Sequence, residues 1–70
     1  MPKLPTFNSK ELIGFLEKIG FVIRRTSGSH VILFNEKKKR RAVVPFHKKE
    51  LPRGTLHSIL KEAGVSKKDL

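Results

Sequence analysis

Three histidines, His30, His47 and His57, are the side chains of this sequence that ordinarily titrate near neutral pH, and they bound its acid–base chemistry. His30 stands in TSGSHVILF, straight after Gly28 and Ser29, at the mouth of an otherwise apolar strand. His47 follows VVPF. His57 lies one step from Leu56 at the margin of a helical apolar stripe and reads as a solvated helix-surface side chain. A lone histidine in a strand is more often structural or merely exposed, so spacing alone leaves the role of His30 open.

Other chemistries find less support. The histidines show no HxH or HxxxH spacing and oxygen ligands are sparse, so neither a metal site nor a cofactor is expected. Neither GxGxxG nor GxxxxGK[ST] occurs, which leaves nucleotide-binding folds unsupported. The acids are Glu11, Glu17, Glu36, Glu50, Glu62 and Asp69, and no local spacing pairs them. Glu11, Glu17 and Glu62 fall on helical patterns off the apolar stripes, where solvated faces or i,i+4 pairs explain them. With no cysteine there is no thiol nucleophile and no disulfide.

Charge supplies a substrate class. Sixteen Lys and Arg against six Asp and Glu give a formal +10 on 70 residues. So strong a positive field on so small a body suits a phosphate polymer, with an acidic protein or a membrane surface as the other candidates, the membrane the weaker because neither helical pattern pairs a basic face with exposed Trp or Phe. Arg24 and Arg25 close one strand pattern, Lys37, Lys38, Lys39, Arg40 and Arg41 run unbroken, and Lys48 and Lys49 follow His47. Such segments contact phosphates with release of counterions. Inside a basic surface, a histidine can take a proton from a ribose 2′-hydroxyl or give one to a leaving 5′-oxygen. Nearby cations stabilise the charge that builds on the phosphoryl oxygens. That reaction requires no metal and spares DNA.

The elements that must position these groups follow from pattern. A chain of 70 residues is expected to form one domain, burying about 60% of its unfolded surface. Asn8 and Glu11 have capping-box spacing, and Leu12, Phe15, Leu16 and Ile19 recur on one helical face, so a helix is expected over about 9–19 with Gly20 and Phe21 as its exit. Phe21–Arg25 reads as a strand, Thr26–Gly28 as a turn, Ser29–Phe34 as a second strand, Asn35–Lys38 as a polar turn and Arg40–Val44 as a third strand ending at Pro45. Short turns imply an antiparallel meander. Leu56, Ile59, Leu60 and Ala63 mark a last helix over Pro52–Ala63 that exits through Gly64 and Val65, and the tail SKKDL has the spacing for one more turn. The expected fold is α+β, α-β-β-β-α, with two helices packed on one face of a three-stranded antiparallel sheet. That is the element order of double-stranded-RNA-binding domains. Val31–Phe34 is apolar on both faces, which hints that something covers the sheet's second face. The opening MPKLPTFNSK lacks the apolar region of a secretory leader, and the longest apolar run is far too short to span a bilayer, so a soluble cytoplasmic protein without membrane association is expected.

Gly20-Phe21, Gly28-Ser29-His30, Val44-Pro45 with His47 just after, and GTLxxILxxAG from Gly54 to Gly64 occur in that order. Together they resemble the HicA toxins, the mRNA interferases of HicAB toxin–antitoxin pairs, over about Ser9 to Asp69. The resemblance implies a double-stranded-RNA-binding-like fold, ribosome-independent cleavage of mRNA and neutralisation by a HicB-type antitoxin. It implies that His30, in the GSH element, is catalytic, with Gly28 supplying the turn into the strand and Ser29 a structural residue. His47 matches a histidine frequent in the family. Thr55, in the GTL element, reads as a helix cap in preference to a phosphate contact. The dense KKKRR departs from the family pattern and would strengthen contact with RNA, and an antitoxin would cover the strand that is apolar on both faces. Acid–base cleavage wants a second proton-handling group, for which His47, a lysine and water all stand open. A non-catalytic RNA-binding module of the same fold is the alternative, and a partner-binding module whose basic surface meets an acidic antitoxin is a third.

Overall fold

The computed structural model describes residues 6–47 and 49–66. Their order is α1 (Ser9–Lys18), β1 (Val22–Ser27), β2 (His30–Asn35), β3 (Arg40–Pro45) and α2 (Arg53–Ala63). The strands form one antiparallel meander, β1-β2-β3, with β2 at the centre.

Both ends of α1 are closed by the expected residues. The Glu11 amide donates to Asn8 Oδ1 at 2.8 Å and the Asn8 amide to Glu11 Oε1 at 2.9 Å, a complete capping box. At the other end Ile19 is the C-cap. The Phe21 amide reaches back to the Leu16 carbonyl at 2.9 Å and the Gly20 amide to Glu17 at 3.1 Å, the two bonds of a Schellman exit. Gly20 takes φ +107, which a side chain would strain. The exit turns Phe21 into the core, where it is almost completely buried.

The strand boundaries differ from the sequence expectation by a short slide. Thr26 and Ser27 belong to β1, paired with Val31 and His30, and the turn falls on Gly28 and Ser29. Gly28 at φ +59 supplies the left-handed conformation a two-residue hairpin requires. Thr26 is β-branched and Ser27 has a cross-strand partner, so ladder pairing outweighs their turn propensity. Ile23 pairs with Leu33 and Arg25 with Ile32, which leaves Arg24 as the extra residue of a β-bulge.

The core lies between the helices and one face of β2 and β3. Leu12 and Leu16 from α1, Val31 and Leu33 from β2, Ala42 and Val44 from β3, and Leu56, Ile59, Leu60 and Ala63 from α2 form one buried cluster. Each large aliphatic side chain among them contributes about 1.5–3 kcal/mol by leaving water. The second face of the sheet carries no element among the described residues. Ile32 and Phe34 stand there half-buried, and β1 is exposed along its length, with Val22 61% accessible. The doubly apolar β2 is therefore covered by helices on one side only. The turn expected in the tail SKKDL lies outside the described residues.

Candidate active site

His30 is the first residue of β2 and follows directly on the hairpin turn. Its cross-strand neighbours are Ser27 and Pro45, so all three share one face. Pro45 has no amide to donate, and the next amide, Phe46, donates to the Ser29 carbonyl at 2.6 Å. Ser29 thus takes part through its backbone. Ser9 fixes this corner from the other layer: its Oγ donates to the Pro45 carbonyl at 2.6 Å and accepts the His47 amide at 2.7 Å.

An open cleft of about 370 Å³ lies beside His30. The sheet contributes His30, Val43 and Pro45 to one wall, and α2 contributes Thr55, Ser58, Ile59 and Glu62 to the other. Those helix positions are i, i+3, i+4 and i+7, a stripe adjoining the buried one, so the face of α2 that looks into the cleft carries two hydroxyls and a carboxylate. Thr55 does not cap the helix, contrary to the sequence reading. The N-cap is Pro52, which offers no side-chain acceptor, and the Leu56 amide already bonds to the Pro52 carbonyl at 2.9 Å. The first turn of α2 consequently has no side-chain cap.

The expected site residues are spread over the sheet. His47 is exposed, held through its amide, and absent from the cleft lining. Arg25 lies opposite Ile32 and Arg41 opposite Phe34, both on the face of His30. Arg24, at the bulge, pairs with Glu36 at 3.1 Å and sets its guanidinium 5.7 Å from the centre of the Phe34 ring. Lys37, Lys38 and Lys39 occupy the β2–β3 turn, with the Lys38 amide bonded to Asn35 Oδ1 at 3.0 Å. Five strand residues at about 3.3 Å each place that tip about 17 Å from His30. Arg40 is on the helix-side face and its side chain lies over Gly64, the C-cap of α2, where a cation meets the carbonyl end of the helix. Lys49 is exposed, and Lys48 lies outside the described residues. A larger cleft of about 430 Å³ opens at the far end, beside Gly20, Val22 and Asn35, and no histidine lines it.

Sequence reasoning passed over Ser58 and Glu62 as cleft residues and ranked Thr55 as a helix cap ahead of a phosphate contact. Their i, i+3, i+7 spacing was visible, but nothing in it tells which strand end that stripe of α2 faces. Among the described residues no group of three or more His, Cys, Asp or Glu side chains could hold a metal ion, and no helix is long and apolar enough to cross a membrane.

A family model described as the HicA toxin of bacterial toxin–antitoxin matches residues 9–65, which include all five elements and both walls of the cleft. No curated protein matches the chain.

Proposed function

The chain belongs to the HicA toxin family of bacterial toxin–antitoxin systems, and from that premise we propose that it is a metal-independent endoribonuclease, an mRNA interferase, with His30 as general acid or base. The observation that carries the reading is the position of His30 at a strand end, on the wall of an open cleft whose other wall presents hydroxyl groups and a carboxylate. An RNA phosphodiester in that cleft has donors in the Thr55 and Ser58 hydroxyls. Arg25 and Arg41 supply positive charge on the same face, and the lysine turn extends it along the bound strand. The 2′-hydroxyl attacks its own phosphorus, His30 moves a proton, and cleavage leaves a cyclic phosphate with a free 5′-hydroxyl. The substrate places the protein in the cytoplasm, and a HicB-type antitoxin is the partner that silences it.

Expression of the parent and of His30→Ala tests this. The parent should arrest growth and shorten cellular RNA, and loss of acid–base catalysis should slow cleavage by about 10²–10⁴-fold. Equal toxicity and equal RNA loss from the variant would remove His30 from the chemistry. Salt-sensitive RNA binding by the parent without cyclic-phosphate ends would identify a non-catalytic RNA-binding module instead.

A further inference from the structure

We propose that Glu62 is the second proton-handling group of the cleft: its carboxylate takes the proton of the ribose 2′-hydroxyl while the His30 imidazolium protonates the leaving 5′-oxygen. The inference rests on the ribonuclease reading of the cleft and assigns within it a role that no local spacing pointed to.

Three observations carry it. The first is geometric. Displacement at phosphorus runs with the attacking and leaving oxygens roughly in line, on opposite sides of the phosphoryl group. One group that accepts a proton and one that donates must therefore flank the phosphorus from two sides. His30 comes from the sheet wall and Glu62 from the helix wall of the same cleft. His47 lines neither wall.

The second is the freedom of the carboxylate. Glu11 is committed to the capping box and Glu36 to Arg24. Glu62 is exposed and makes no ion pair among the described residues, so no structural contact claims its charge.

The third is chemical. An ionised carboxylate only accepts, whereas an imidazolium only donates. The proton balance closes. The 2′-oxygen forms its bond to phosphorus as its proton passes to Glu62. The bond from phosphorus to the 5′-oxygen breaks as that oxygen receives the His30 proton. Hydroxyls of Thr55 and Ser58, on the same stripe as Glu62, can donate to the non-bridging oxygens.

The test compares the parent, Glu62→Gln, Glu62→Asp and His30→Ala on two substrates. One is an oligoribonucleotide with its natural 5′-oxygen leaving group, and the other a nucleoside 3′-(p-nitrophenyl phosphate), whose leaving group departs without a proton. Thermal unfolding of Glu62→Gln should match the parent, because the side chain is exposed. Glu62→Gln is expected to lose about 10²-fold or more on both substrates, because both need the 2′-proton removed. His30→Ala should lose heavily on the oligonucleotide and recover much of its rate on the activated ester. The acid-side limb of the pH–rate profile should be absent in Glu62→Gln and retained in Glu62→Asp. Parent-like cleavage by Glu62→Gln beside an inactive His30→Ala overturns the proposal and leaves the ribonuclease reading standing. Rescue of Glu62→Gln by the activated ester, without rescue of His30→Ala, overturns the assignment of Glu62 as base. A fully active His30→Ala removes His30 from the chemistry and the two-residue scheme with it, whereas failure of the parent to cleave either substrate removes the ribonuclease reading itself.

Discussion

Ser9 is completely buried, yet its hydroxyl is satisfied on both sides, as donor to the Pro45 carbonyl and acceptor of the His47 amide. It lies at the start of α1, beside Asn8, so the side chain that opens the first helix also ties down the end of the last strand. Pro45 is the cross-strand neighbour of His30, which makes this buried hydroxyl a support of the cleft from behind. Ser9→Ala would leave the part-buried Pro45 carbonyl and the His47 amide without this partner, at a cost of up to about 1–3 kcal/mol. For a domain of this size each kcal/mol lowers the midpoint by about 4–8 °C, so a thermal melt with unchanged cooperativity should show the loss directly. A parent-like midpoint would mean that water replaces the hydroxyl and that segment 45–47 is held by other contacts.

At the scale of elements, the β1–β2 hairpin decides where His30 stands. Its turn uses Gly28 at φ +59, and an added Cβ there would meet no atom within 4 Å, so a substitution is opposed by backbone conformation alone. Gly28→Val should therefore cost about 1–2 kcal/mol, and Gly28→Asn clearly less, since asparagine tolerates the left-handed region. Denaturant titration of the two variants separates them, and equal losses would point to a crowded turn instead. The hairpin also shows what was legible beforehand. Runs of apolar and β-branched residues bounded by turn residues located the strands, and capping residues fixed both ends of α1, because those signals act between near neighbours. The slide of the turn onto Gly28 and Ser29 was hidden, because Thr26 and Ser27 read as turn residues until their partners Val31 and His30 claim them. The same limit hid half of the cleft. His30 was legible from the GSH element, whereas Thr55, Ser58 and Glu62 join it only through the docking of α2 beside β3, a contact that no local pattern encodes.

At the scale of the whole molecule, seven of the sixteen Lys and Arg residues lie on the sheet or in its β2–β3 turn, and the proposed function gives them separable consequences for binding and for chemistry. Arg25 and Arg41 share the face of His30, Arg40 is turned to the end of α2, and Arg24 is engaged with Glu36 and Phe34. The turn lysines, Lys37, Lys38 and Lys39, are exposed and remote from the cleft. On the proposed function they hold the phosphate backbone of RNA at a distance from the scissile bond. Replacing all three with alanine should weaken RNA binding and make it less salt-sensitive, flattening the plot of log K against log salt by up to about 2 for single strands. Cleavage at saturating RNA should stay near the parent rate, because His30 and Glu62, the proposed proton-handling groups, are untouched, so the defect belongs in KM. A fall in kcat with KM unchanged would show instead that the turn orients the strand in the cleft, and that the reach of this small domain along RNA is part of its catalysis.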